Sequence, residues 1–379
     1  MNIYAAIAGA ILLVAILWDS FEAVVLPRRV TRRFRFTRLF YRSTWIPWSW
    51  VARRIRAGNA RESFLSVYGP MSLLFLLGTW AFGLILSFAL LQWSTGSPLN
   101  APDHNSGFWT ELYLSGTTFF TLGIGDVTPR TEFARVITVV EAGMGFGFLA
   151  LVIGYLPVLY QAFSRREVNI SLLDARAGSP ATAVELLRRH VAAGSVEAIC
   201  EFLRDWELWS AELLESHLSY PVLAYYRSQH SNQSWLAALT TVLDVSALVI
   251  VGVDGTPPQQ AQLTFAMARH AVVDLSQVFN RPPRPLLSDR LSPSDLKQMR
   301  SILSTAHVLL REGEEADQKL NELRKMYEPY VHALAQLLNL TVPPWFLVKT
   351  RSDNWQTSAW ERISATAHSA HSSDTDEHF

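Results

Sequence analysis

Residues 118–126 read Thr-Phe-Phe-Thr-Leu-Gly-Ile-Gly-Asp, which puts two hydroxyls, two alternating glycines and a carboxylate within nine positions. The polar groups offered there are oxygens, from side chains and main chain alike. Gly123 and Gly125 release the main chain from angles that a Cβ forbids. The chemistry open to such a segment is the holding of a cation by oxygen, not the making or breaking of bonds. Nothing elsewhere competes with it. His190, His217, His270, His307 and His332 are scattered without metal-ligand spacing. Cys200 is the single cysteine, so neither an intrachain disulfide nor a cysteine metal set is available. No nucleophile–base pairing stands out, and the chain is read as a non-enzyme with no cofactor. A Gly-x-Gly-Asp string alone means little, so its weight comes from the elements around it.

Three stretches are long enough to cross a bilayer, which needs about 20 apolar residues. Residues 3–26 are apolar through Leu17 and end with Trp18, Asp19 and Glu22 near an interface. They lack the basic start and small-residue cleavage site of a signal peptide, so the stretch (domain 1–27) is read as a retained span. Residues 64–93 contain no charged side chain, and 133–163 are interrupted only by Arg135 and Glu141. The 379 residues are 49% hydrophobic, high for a soluble protein. Their zero net charge hides an asymmetry: residues 1–166 hold 15 Arg, no Lys and 8 acidic residues, and the remainder carries the compensating excess of acid. A membrane half rich in arginine joined to an acidic soluble half fits this pattern. Because the basic residues lie beside spans, nucleic acid is excluded as a partner.

Eleven of those arginines, from Arg28 to Arg61, fall in segment 28–63, opposed only by Glu62. The positive-inside rule makes that loop cytoplasmic, the N-terminus and residues 94–132 external, and the end of the third span, with Arg165 and Arg166, internal. The expected location is the plasma membrane, in a bacterium the inner one, crossed several times. Phe34, Phe36, Phe40, Trp45, Trp48 and Trp50 interleave with the arginines. The segment is either an amphipathic element lying against anionic lipid headgroups or simply a basic loop that sets topology.

The order T-x-x-T-x-G-x-G-D, with Pro129 three residues on and a span on either side, resembles the signature of single-P-loop, two-helix-pore potassium channels. The resemblance covers about residues 64–163. It implies an all-α membrane protein with the tetrameric potassium-channel pore fold: outer helix 64–93, pore helix 107–120, filter 121–126 and inner helix 131–163. One P-loop supplies a quarter of a pore, so four identical chains are implied. In that family, rings of main-chain carbonyls replace the hydration shell of the ion. Thr121, Leu122, Gly123, Ile124 and Gly125 would line the path, with the Thr121 hydroxyl at its inner end and permeant K+ as the only metal. Asp126 would stand at the outer mouth. Leu114, Ser115, Thr117 and Thr118 belong to the pore helix, whose C-terminal dipole end favours a cation. Ile124 departs from the usual Tyr or Phe. Leu114 is expected to pack against it, and Tyr113 to brace Asp126.

The inner helix would run about 50 Å at 1.5 Å per residue, longer than the hydrocarbon core. Gly143, Gly145 and Gly147 lie where the family's hinge glycine falls, Gly145 fitting best; hinge bending and close helix packing are both open. Pro157 is placed to kink the helix near a gate, or merely to curve it. Glu141, an intramembrane carboxylate, either faces the cavity or bonds behind the filter to Ser115 or Thr117.

After Arg166 helical signals dominate, giving a helical cytoplasmic domain over 164–363 and a Ser/Thr/His/Asp-rich, disordered tail over 364–379. Helices are expected from Ser179-Pro180 to His190, from Gly194-Ser195 to Glu215, from Ser292-Pro293 to Glu312, and over 314–340. Residues 280–285 form a proline-rich break between two subdomains. Residues 235–251 tempt as a fourth span, but Asp244 and the lack of basic flanks favour a core helix. No strand–GxGxxG–helix unit or cyclic-nucleotide pattern appears, and the domain's ligand or protein partner is unread.

The sequence therefore reads as a homotetrameric potassium channel gated through its helical domain. The alternatives are a weakly selective monovalent cation channel, motivated by Ile124, and a non-conducting membrane sensor or scaffold built on a channel fold.

Overall fold

A computed structural model describes residues 2–26, 35–96, 99–101, 107–191, 196–229, 232–285 and 289–348. Arg28, Arg29, Arg32 and Arg33, the Gly194-Ser195 helix start and the 364–379 tail lie outside the described residues. The chain divides into two compact units, Met1–Phe163 and Ser164–Phe379.

The first unit is built on a helical hairpin. Helix α1 (Ile3–Ser20) is capped by Asn2, whose side chain accepts from the Ala5 amide, and continues into a π-helical turn, Phe21–Val25. Helix α3 (Asn59–Ser94) begins earlier than hydropathy alone suggests. The two run antiparallel. The Asn2 amide donates to Ser94 O at 2.9 Å, Gly9 meets Ser87 and Ile16 meets Gly83, and Trp80 Nε1 donates to Asp19 Oδ2 at 3.1 Å. Small residues at those crossings let the helices approach closely. On the other side of α1, Ile3, Ile7, Ile11, Val14 and Trp18 are exposed at helical spacing, a stripe suited to lipid.

Helix α2 (Phe36–Arg54) lies on the N-terminal end of α3. Trp48 stacks on Phe64 at 4.5 Å and Trp45 meets Tyr68 edge-on at 4.7 Å. Asp19, placed near an interface by sequence, is buried. Its carboxylate accepts from the Thr37 amide and hydroxyl as well as from Trp80. One side chain thus ties α1 to the N-terminus of α2, where a negative charge is favoured, and to the middle of α3.

A short helix, α4 (Phe108–Phe119), and a two-residue antiparallel ribbon complete this unit with the first part of α5. Strand β1 (Leu99–Asn100) pairs with β2 (Thr128–Pro129), Leu99 opposite Pro129. No alternation or turn signal in the sequence anticipates this ribbon. Helix α5 (Glu132–Ala177) has 46 residues, passes through Pro157 as one helix and ends in the second unit. Thr131 caps it, accepting from the Ala134 amide.

The second unit is helical: α6 (Ala183–Val191), α7 (Val196–Ser219), a 3-10 turn at Pro221–Tyr225, α8 (Trp235–Gly252), α9 (Pro258–Val278), α10 (Pro293–Thr305), α11 (Glu314–Lys325) and α12 (Glu328–Leu338). Among the described residues four helices, α8 included, are long and apolar enough to cross a membrane. Protein packs around α8 on every side, however, as expected of a helix apolar all round at the centre of a core. Its Asp244 is met by Arg290 at 2.7 Å and by the Tyr327 hydroxyl. Arg290 also reaches Glu328 at 3.0 Å.

Three helix limits differ from the sequence reading. Ser179 bonds Asp174 instead of starting a helix, and α6 is capped by Thr182 through the Glu185 amide. Helix α10 stops at Thr305 because 309–311 pairs with the end of α8, the Arg311 amide donating to Gly252 O at 2.8 Å. The 314–340 run breaks at Met326–Tyr327, since Pro329 opens α12 and Tyr327 turns inward to Asp244. The 280–285 break lies within the second unit and separates α9 from α10.

Candidate functional site

Helix α4 ends where the Thr-Phe-Phe-Thr-Leu-Gly-Ile-Gly-Asp stretch turns back. Thr121 adopts φ +54°. The Leu122 amide donates to Thr117 O at 2.8 Å and the Thr121 amide to Thr118 O at 2.9 Å. This is the Schellman closure of a helix, with a threonine in the left-handed position that usually falls to glycine. Gly123 and Gly125 follow at φ +60° and +79°, while Leu122 and Ile124 are not positive. Alternating sign turns successive peptide planes toward one side, whereas carbonyls in a regular strand point alternately to both edges. A Cβ at Gly123 would meet nothing within 4 Å in the chain, so glycine is required there by backbone angle, not by space.

Residues 121–126 are exposed from end to end; Leu122 is 62% and Ile124 59% accessible. Leu114 packs with Leu99 and Val127, a cluster that does not include Ile124. The contact expected between Tyr113 and Asp126 is present: the Tyr113 hydroxyl donates to Asp126 Oδ2 at 3.0 Å, and the Val127 amide donates to Oδ1. Arg135 holds the outer turn by donating to Pro129 O at 3.2 Å.

Behind α4 lies a buried polar cluster. Glu141 of α5 is inaccessible to solvent; it accepts from Gln92 Nε2 of α3 at 3.2 Å and shares a very short hydrogen bond with Ser115 Oγ of α4. Ser115 Oγ also lies 2.7 Å from Ile85 O. Thr117 is not part of it, its hydroxyl donating to Leu114 O. Glu111 is buried as well, with Oε2 unpartnered. Gln92 and Glu111 escaped the sequence reading; the available signal was a polar side chain near the end of an otherwise apolar span.

The three glycines of α5 are not alike. An added Cβ at Gly143 or Gly147 meets nothing in the chain, whereas at Gly145 it would fall 1.9 Å from Phe119 O and 2.7 Å from Phe119 C. The inner helix therefore crosses the last turn of α4 backbone against backbone. Phe119 and Phe148 pack beside the crossing at 5.8 Å.

At the start of the second unit Arg166 is buried, donating to Leu223 O and Tyr226 O at 2.9 Å each and pairing with Glu167. Its Nη1 lies 3.4 Å from His217 Nε2, while His217 Nδ1 is 2.8 Å from Leu213 O. That arrangement fits a neutral imidazole donating from Nδ1. Burial, then the Arg166 charge, pushes His217 down to about 3. Among the described residues no group of His, Cys, Asp and Glu is placed to hold a metal ion.

A re-entrant helix and an exposed, glycine-bearing return between two apolar helices define a membrane ion-channel domain. Residues 73–161, about a quarter of the chain, match the family model described as Ion channel. The chain is also similar to the "Uncharacterized membrane protein YdjJ" of Bacillus subtilis (strain 168), 25% identical over 219 residues, 57% of this chain. The matched part spans 61% of that relative's length. No solved structure matches the chain.

Proposed function

We propose that the protein is a homotetrameric potassium channel, passing K+ downhill through a path lined by Thr121, Leu122, Gly123, Ile124 and Gly125. The observation that carries this reading is the full exposure of residues 121–126 in the single chain. Irregular main chain at membrane depth is tolerated only where protein covers it or water fills the space beside it. The chain itself supplies no cover, and copies around a central axis do. Largely uncovered apolar residues of α5, among them Val136, Val139, Phe146, Leu149 and Ile153, fit the same assembly.

The arginine loop then faces the cytoplasm and Asp126 the exterior. Arg166, fixed by the Pro221–Tyr226 segment, links the state of the helical unit to the end of α5, which supports gating through that unit. Ile124, exposed and standing where the resembling family usually has an aromatic, favours a second reading, a weakly selective monovalent cation channel. Reversal potentials with K+ and Na+ on opposite sides separate the two; equal permeabilities defeat potassium selectivity. Gly123→Ala forces an alanine into the left-handed region at about 1–2 kcal/mol per copy. It should abolish current while sparing assembly. A monomer in lipid would overturn the proposal as a whole, and a Gly123→Ala protein that still performs its biological role would favour a scaffold.

A further inference from the structure

The hydroxyl of Ser115 sits between two acceptors and can donate to only one. Ile85 O is 2.7 Å away, and Glu141 Oε1 is closer still. If Glu141 were ionised, Ser115 would have to donate to it, leaving Oγ and Ile85 O as two lone pairs pressed together. If Glu141 carries a proton on Oε1, every short contact becomes a hydrogen bond. Glu141 then donates to Ser115 Oγ, Ser115 donates to Ile85 O, and Gln92 donates to Glu141 Oε2 at 3.2 Å.

The surroundings agree with the neutral form. Glu141 is fully buried, and among the described residues its polar partners are Ser115 and Gln92, neither of them cationic. An unpaired buried carboxylate is strongly unfavourable. From α3 only uncharged Gln92 and the Ile85 carbonyl face it. From α4 the titratable group acting on it is Glu111, itself an acid and 1% exposed.

We infer that Glu141 is a protonated positioning residue whose proton links α5, α4 and α3 in one chain of hydrogen bonds behind the Thr121–Gly125 stretch. Loss of that proton places a charge in the cluster, withdraws the Ser115 hydroxyl from Ile85 and loosens the helix that ends at Thr121. The site is thus a brace held by that proton and released when it is lost. The inference builds on the channel reading only for its effect on current.

The direct test is infrared spectroscopy of the full-length protein in lipid, following the carbonyl stretch of a protonated carboxyl group. The band should be present at neutral pH, disappear in alkali, persist in Glu111→Gln and be missing from Glu141→Gln. Ser115→Ala, which removes the acceptor, should shift it. In the electrical arm, wild-type current should fall at least about tenfold per pH unit beyond the midpoint, more steeply if several of the four copies must keep the proton, while Glu141→Gln, a neutral isostere, holds its current across the same range. A band unchanged in Glu141→Gln, or unmoved by Ser115→Ala, overturns the inference, as does a wild-type pH profile in Glu141→Gln. The expected bands in a protein that passes no current would uphold the proton and refute the channel reading.

Discussion

Gly145→Ala tests the crossing of α5 and α4 most directly. Cβ atoms essentially never come within 3.0 Å of a non-bonded atom, yet at residue 145 one would lie 1.9 Å from Phe119 O and 2.7 Å from Phe119 C. The two helices must therefore part by more than an ångström. The obstructing atoms are main chain, so no rotamer change relieves the overlap. Overpacking costs about 1–3 kcal/mol, and a backbone obstacle puts this case at the upper end. At ~1.4 kcal/mol per decade, 3 kcal/mol is a loss of about 150-fold in the native population. The displaced turn is the one that closes on Thr121, so the filter stretch should move with it. Thermal dissociation of the assembled protein and single-channel conductance are the assays. Gly145→Ala should lower both, and Gly145→Ser should do worse. Gly143→Ala and Gly147→Ala, which meet open space in the chain, gain about 1 kcal/mol of helix propensity each and should be tolerated. A Gly145→Ala protein of unchanged stability and conductance, or one no worse than Gly143→Ala, would refute the reasoning.

In the helical unit, His217 gives a signed pH dependence. Its folded value of about 3 lies below the ordinary 6.5, so its contribution is complete above pH 6.5 and is lost as pH falls toward 3. By pH 5 about 2 kcal/mol should be gone, read by tryptophan fluorescence in denaturant, and His217→Gln should flatten that slope. Arg290→Met removes the ion-pair partner of the buried Asp244 carboxylate, whereas Glu328 keeps Arg324. It should cost about 3–5 kcal/mol in thermal unfolding, partly recovered by adding Asp244→Leu; full stability of the single variant would contradict this account. Asp19→Ala leaves Trp80 Nε1 and the Thr37 donors unsatisfied, with an expected loss of about 1–3 kcal/mol. Size-exclusion profiles after heating would show it, and a wild-type profile would mean that α1 is held without the Asp19 carboxylate.

Local chemistry made part of this protein legible in its sequence. Uninterrupted apolar runs can satisfy their main chain in lipid only as helices, so the existence of α1, α3 and α5 needed no tertiary information. The alternation of glycines in 121–126 is likewise a local demand, because positive φ is a property of the residue, and the paired arginines fixed an expected orientation. Tertiary packing decided the rest. Gly143, Gly145 and Gly147 are alike as letters, and only the approach of Phe119 separates a glycine required by space from two that are not. Sequence left Glu141 between a cavity and a brace, and placing Gln92 and Ser115 beside it depended on how three helices cross. The β1–β2 ribbon, which sets Leu99 and Val127 beside Leu114, joins segments 28 residues apart with no periodic signal. Spans and turns follow from what each residue allows its own backbone; partners follow from distances that only the folded chain creates.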